Sequence, residues 1–235
     1  MDKTILEDIP FEPDFGELVE LMHVRAGSSM AKDLKHMLDD AMKIARPKAL
    51  YSIASKEERD ETSVLIGGSV FESRILKVNL ENAHRVFLYT ATCGLELYEW
   101  KISIEDTVRK FYAESINGYA LYTAIQALDS HLDEKYKLGL TSRMNPGSLS
   151  DWPIQAQIPL FKLLGDTEST IGIRLLDSLL MIPGQSVSGI RFETETSFAS
   201  CQLCPMAHCP NRQAPYDKRL FDKRYALDEG EFLHP

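Results

Sequence analysis

Apolar residues recur at helical spacing in some stretches of the chain and cluster into short runs in others. Residues 15–24 (FGELVELMHV) place Phe15, Leu18, Leu21 and Met22 on one helical stripe. A second helix is predicted from a cap at Ser28 or Ser29 to about Ala45. Its apolar face is Met30, Leu34, Met37, Leu38, Met42 and Ile44, and Pro47 ends it. The period then changes. ALYSIA, SVLIGG, SRILKV and HRVFLYTAT are rich in β-branched or aromatic residues and are split by charged or glycine-containing turns, which predicts strands of one sheet. LELYEW, after Gly94, predicts a short helix. The longest helical pattern spans residues 104–137, with Val108, Phe111, Tyr112, Ile116, Tyr119, Ala120, Ala124 and Leu128 as its apolar positions. Gly118 inside it costs about 1 kcal/mol relative to alanine, so a small residue there is expected to permit close packing. TSRMNPGSLSDWP reads as a loop, and a short helix follows across residues 156–164. IGIRLLDSLLMIPGQSVSGIRFE offers two strand-like runs split by Pro183 and Gly184. The tail from Pro210 is charged and reads as a partly ordered arm. Helices, strands, a long helix, a loop and strands again predict an α+β single domain with one mainly antiparallel sheet.

Composition narrows the class. At 235 residues the chain makes one large domain or two small ones, and 44% hydrophobic with 26% charged residues is ordinary for a globular protein. A formal charge of −9 argues against a general binder of nucleic acid or membrane surface, because phosphate binding needs a basic footprint. No apolar run approaches the ~18 residues of a membrane span. The opening MDKTILEDIPFEPDFGE is acidic and broken by prolines, unlike a signal or transit peptide. Of the four cysteines, three are clustered, which suggests a reducing, cytoplasmic setting and not a disulfide framework.

Several familiar constellations are missing: a GxxxxGK[ST] loop, HExxH, a G-x-S-x-G elbow and a G-x-G-x-x-G turn. The histidines at 23, 36, 84, 131, 208 and 234 are scattered, and only His208 lies within the cysteine cluster. Two stretches stand out. In RMNPGSLSDWP, Arg143 offers a planar fork suited to a carboxylate, and Pro146-Gly147 fixes a turn whose backbone can approach a ligand. A tight turn with Arg143 paired to a nearby acid explains the same residues. In MIPGQSVSGI, Ser186 and Ser188 alternate, so both hydroxyls share one face of a strand, lining a polar groove or facing water.

Taken together, IGIRLLDSLLMIPGQSVSGIRF (171–192) and RMNPG (143–147) resemble the reactivation domain of cobalamin-dependent methionine synthase. The first stretch is similar to the family's strand pair, with its Met-x-Pro-Gly turn and Ser-Val-Ser-Gly run. The second is similar to its R-x-x-P-G loop. SDWP, SVLIGGSVFESRIL and ATCGLEL resemble shorter, stand-alone relatives. The resemblance covers most of residues 5–200. It implies a C-shaped single domain with a twisted antiparallel sheet, occupying residues 1–200, with the cysteine cluster and an arm over 201–235. It also implies a groove that binds S-adenosylmethionine and presents its methyl group to a cobalamin held by a partner. The expected function is reactivation of a cobalamin-dependent methyltransferase, or another corrinoid protein, by reductive methylation. The alternative is a non-enzymatic corrinoid-protein partner, or a metal-bearing redox adaptor, that docks without binding S-adenosylmethionine. Carried over by position, Arg143, Pro146, Gly147 and Ser148 face the ligand. Asp129 meets its cationic end, and Ser186 and Ser188 support the groove floor. Ser148 stands where the family carries an aromatic residue. Trp152 is the candidate replacement wall, and Phe198 the candidate second aromatic.

The cysteine cluster lies outside that family pattern. SCQLCPMAHCPNR gives Cys201, Cys204 and Cys209 as C-x2-C-x4-C, a common ligand spacing for zinc or iron–sulfur. The expectation is a metal centre, iron–sulfur with zinc as the alternative. Cys93 or His208 is the candidate fourth ligand. Three free thiols remain the other reading, and Cys93 alone reads as a small core residue. A flavodoxin-like or ferredoxin-like protein is the expected electron donor.

Overall fold

The computed structural model of the chain describes residues 2–209 and 212–226. Pro210 and the stretch after Ala226, His234 included, lie outside the described residues. Strand β1 (Lys3–Leu6) opens the chain. The Asp14 carboxylate accepts the Glu17 N–H at 2.8 Å and starts helix α1 (Phe15–Leu21). The Ser28 hydroxyl does the same for the Ala31 N–H at 3.1 Å at the start of α2 (Ser29–Ile44). Next come β2 (Lys48–Glu58), β3 (Ser63–Ile66), β4 (Ser69–Glu72), α3 (Arg74–Asn79), β5 (Arg85–Thr92) and α4 (Leu95–Ser103). Asp106 caps α5 (Thr107–Tyr136) by accepting the Arg109 N–H at 2.8 Å. Strand β6 (Thr141–Met144), helices α6 (Gln157–Leu164) and α7 (Thr167–Ile171), and strands β7 (Arg174–Leu175), β8 (Met181–Ile182) and β9 (Ser186–Glu193) follow. Helix α8 (Leu220–Arg224) comes last.

The fold is mixed α/β with a mainly antiparallel sheet flanked by helices, as the element order predicts. The seven-stranded sheet has the order β4-β3-β2-β5-β9-β6, with β1 beside β2. Two compact units divide the chain. The first comprises residues 1–52, 88–138 and 164–188, and the second comprises residues 53–87, 139–163 and 189–235. Among the described residues, no helix is long and apolar enough to cross a membrane.

In the first unit α2 packs on α1, α4 and α5, and α4 packs on α5. Leu18, Leu34, Leu38, Ala41, Cys93, Leu97, Ile116 and Ala120 are all sealed in this core. Strand β1 pairs antiparallel with the start of β2, Lys3 opposite Ser52 and Leu6 opposite Ala49. In the second unit β3 pairs with the end of β2 and forms a hairpin with β4. Strand β6 pairs antiparallel with β9, Thr141 opposite Glu193 and Met144 opposite Ile190. Phe71 and Trp152 meet edge-on at 6.3 Å, and Phe198 meets Tyr225 at 6.0 Å. The buried Tyr225 hydroxyl donates to Asn79 Oδ1 at 3.0 Å, so part of the charged tail is anchored in the core.

Several sequence expectations are corrected. SRILKV is a helix, not a strand, and the strand there is the preceding SVFE. A short apolar run does not separate the two by periodicity alone. Here the caps decide. The Ser73 hydroxyl accepts the Leu76 N–H at 2.9 Å, and the Asp151 carboxylate accepts both the Ser73 hydroxyl and the Ile75 N–H. Residues 141–144 are a strand, not loop, because β9 supplies a partner edge. Met30 and Met42 of α2 are exposed, as are Val108 and Phe111 of α5. Small residues took their place in the packing: Ala31 and Ala41 on α2 and Ala113 on α5. Gly118 is not forced by close packing, since a Cβ there would meet the Gln185 side chain at an ordinary 3.8 Å.

Candidate functional site

The Arg143 segment is held on both sides. Arg143 lies opposite Arg191 in the β6–β9 pair and forms a parallel bridge with Ala199. Next to it, the Ser142 hydroxyl accepts the Phe198 N–H at 2.8 Å. Residues 145–148 then make a tight turn. The Asn145 carbonyl accepts the Ser148 N–H at 3.1 Å and the Ser148 hydroxyl at 2.6 Å. Proline at the second position and a glycine with φ of +83° at the third are the signature of a type II turn. Gly147 is required by its backbone, and the space beside it is tight. Its φ disfavours a side chain, and a Cβ would lie 2.9 Å from Ile154 Cδ1. The close approach at this glycine is thus made by Ile154 of the same chain.

Arg191 is the residue that sequence reasoning missed. It is buried, and its Nε and Nη2 donate to Thr141 Oγ1 at 3.2 and 3.0 Å. Cross-strand neighbours on an antiparallel pair share a face. The register sets Arg143 and Arg191 on one face of the pair, and a guanidinium is a donor fork suited to a carboxylate. The only signal in the sequence was a second arginine in a strand, and the register that brings it opposite Arg143 is a long-range fact.

Trp152 and Phe198, expected as aromatic walls, are turned into the core. Trp152 is 0% exposed and Phe198 3%. Ser148 is exposed, and its hydroxyl lies 3.3 Å from that of Ser200. In the first unit the Ser186 hydroxyl donates to Thr92 Oγ1 at 3.0 Å, and Ser188 is buried on the same strand. Asp129 is half-buried on α5.

That unit also holds a titratable cluster with no sequence signal. The Tyr51 hydroxyl meets His131 Nε2 and the Tyr136 hydroxyl at 3.1 Å, and it accepts from Lys135 Nζ at 3.2 Å. Burial pushes the Tyr51 phenol up. Hydrogen bonds with Thr4, Tyr136 and Lys135, and the Lys135 charge, outweigh it and hold the phenol below its ordinary value.

The cysteines divide sharply. Cys93 is 0% exposed in the first unit's core, and burial pushes its thiol up to about 12. Cys201, Cys204 and Cys209 are free and half-buried in the second unit, with His208 exposed beside them. Their loop is organised through backbone carbonyls. The Arg212 guanidinium donates to the carbonyls of Cys201 at 3.0 Å, Cys204 at 3.2 Å, Ala214 at 3.2 Å and Met206. Among the described residues, no three His, Cys, Asp or Glu side chains come together as a metal-binding group. The positions of the described side chains thus give the expected iron–sulfur or zinc centre no support.

The fold defines the class of protein this chain is similar to. A crystal structure of the MetH reactivation domain bound to AdoHcy superimposes with a TM-score of 0.65 at 16% identity. The match covers 85% of this chain and 81% of that one. At this identity the likeness is one of fold. No protein-family profile and no curated protein matches the sequence.

Proposed function

We propose that this protein binds S-adenosylmethionine and takes part in reactivating a cobalamin-dependent methyltransferase. The observation that carries the reading is the fold likeness to the MetH reactivation domain bound to AdoHcy, over most of both chains. The fixed Arg143–Ser148 segment supports it. Its type II turn is closed by the chain's own hydrogen bonds, and Arg143 and Arg191 lie opposite one another beside it. In this reading Arg143, with Arg191, holds the ligand's carboxylate through charge-assisted bonds. Pro146, Gly147 and Ser148 fix the approach. Asp129, Ser186 and Ser188 are assigned to the same ligand by the sequence resemblance alone. The methyl group goes to the corrinoid of a partner protein, with one electron from a separate flavodoxin-like or ferredoxin-like donor.

Calorimetry tests this directly. The wild type is expected to bind S-adenosylmethionine or its demethylated product, and Arg143→Ala to weaken binding about 10- to 100-fold, the worth of one charged hydrogen-bonded pair. Circular dichroism checks that the variant is folded. Absence of binding by the wild type overturns the reading. It would favour a corrinoid-protein partner that docks without the ligand. The buried Trp152 and Phe198, and Ser148 in place of an aromatic, are the observations on that side.

A further inference from the structure

The sulfurs of the C-terminal loop are left without a task by the proposed ligand segment, and the loop's own geometry assigns one. Residues 199–204 form consecutive tight turns. The Gln202 N–H donates to the Ala199 carbonyl at 2.9 Å, Leu203 to Ser200 at 3.1 Å, and Cys204 to Cys201 at 3.3 Å. These are 3₁₀-type bonds, in which residues three apart are eclipsed and each residue rises about 2 Å. The turn closed by the Cys204 N–H on the Cys201 carbonyl brings the two Cα atoms to about 6 Å, inside the range a disulfide spans. Cys209 is beyond Pro205 and outside this turn.

Two further observations mark the pair. The Gln213 N–H is directed at Cys201 Sγ at 3.4 Å, so this sulfur has a fixed donor from elsewhere in the loop. Arg212 holds the loop's shape by grasping carbonyls, not sulfurs. The fold thus fixes the backbone around both thiols mainly through carbonyls, with one N–H resting on Cys201 Sγ. Both are half-buried and free, and Cys93 shows what a sealed structural thiol looks like in this same chain.

We infer that Cys201 and Cys204 form a thiol–disulfide exchange site whose substrate is a small or protein disulfide of the glutathione class. The thiolate of Cys201 attacks one sulfur of the incoming disulfide. One S–S bond breaks, a mixed disulfide forms and one thiol leaves. The thiolate of Cys204 then attacks Cys201 Sγ, releasing the second thiol and leaving a Cys201–Cys204 disulfide. Two protein thiols are oxidised, one external disulfide is reduced to two thiols, and the protons balance. Excess external thiol drives the same steps backwards. This inference does not rest on ligand binding by the Arg143 segment.

The test uses the full chain. Reduced protein is freed of reductant and equilibrated in mixtures of oxidised and reduced glutathione. Remaining thiols are trapped with a maleimide, and intact mass and peptide maps are recorded. The expected result is the joint loss of two reactive thiols, a map that joins Cys201 to Cys204, and full recovery with excess reduced glutathione. Cys209→Ser is expected to leave this unchanged, while Cys204→Ser halts with glutathione attached at Cys201. The inference is overturned by any of three outcomes: thiols that stay reduced throughout, a disulfide that joins Cys209 instead, or zinc or iron that co-purifies and shields all three thiols until a chelator is added.

Discussion

The thiol of Cys93 and the thiols of the C-terminal loop differ in what holds the chain around them. At Cys93 everything is closed. Its N–H donates to the Gln185 carbonyl at 3.0 Å, its Sγ donates to the Gly94 carbonyl at 3.5 Å, and side chains of α2, α4 and α5 share its core. Gly94 follows with a φ of +98°, and a Cβ there would stand 2.4 Å from the Arg46 carbonyl oxygen, so the position takes glycine. At Cys201 and Cys204 the backbone is also tied, through Arg212, but the residues are only half-buried. A thiol that is enclosed stays protonated and inert, whereas one whose backbone is fixed and whose sulfur is reachable is available for chemistry.

The largest effect that separates the two is labelling rate. In the native protein a maleimide should modify Cys201 at least ~1,000-fold faster than Cys93, because Cys93 reacts only when its core opens, at a free energy near that of global unfolding. Comparable rates at the two positions would break the comparison outright. Next in size is the closure itself. Gly94→Ala should cost about 3 kcal/mol, combining a strained backbone with a clash against a carbonyl that cannot withdraw. Arg212→Ala should cost at most about 1 kcal/mol in global stability, because its bonds lie on a half-exposed loop. Urea unfolding of both variants checks the contrast. A larger loss from Arg212→Ala would make the loop part of the core.

The sequence carried the first of these regions better than the second. The core reading of Cys93, which stood beside its candidacy as a fourth ligand, the cap of α2 at Ser28 or Ser29 and the strand before Cys93 came from local pattern, because each depends on neighbours within one turn or one strand. The helix at residues 74–79 was not, since its cap is completed by Asp151, which no window around Ser73 contains. Arg143 and its turn were legible from Pro146 and Gly147. Arg191 opposite it was not, because strand register is set by the whole sheet. The C-x2-C-x4-C spacing was legible too, yet spacing says only that ligands are near in the chain. Whether sulfurs converge on a point depends on the path of the loop, and here Arg212 sets that path.

Alkaline pH gives a smaller but cleaner separation. The Cys93 thiol is raised by burial from an ordinary 9.0 to about 12. Its contribution is fully present below pH 9. As pH rises from 9 toward 12 the unfolded chain loses a proton that the folded chain keeps, so stability falls by ~1.4 kcal/mol per pH unit from this group. Urea midpoints followed between pH 8 and pH 10.5 should therefore fall more steeply for the wild type than for Cys93→Ala. The variant is less stable throughout but lacks that one proton. Equal slopes would mean that the thiol is not sealed.

The smallest expected effect lies on the lid over Cys93. Gln185, whose carbonyl takes the Cys93 N–H, also covers Gly118 on α5, and its side chain accepts no closer neighbour than an ordinary contact there. Its amide donates to Glu114 Oε1 at 2.8 Å, which fixes it over the helix. A methyl group at residue 118 would fill the 3.8 Å space without moving it. Gly118→Ala should then stabilise the protein by about 0.5–1 kcal/mol, the gain of alanine over glycine inside a helix. Because α5 forms part of the core around Cys93, labelling of Cys93 should slow by the same free energy, roughly 2- to 5-fold. Labelling of Cys201 should not change. A destabilised Gly118→Ala variant would show that Gln185 has no freedom to accommodate a methyl group, and that the seal over Cys93 is tighter than a 3.8 Å contact suggests.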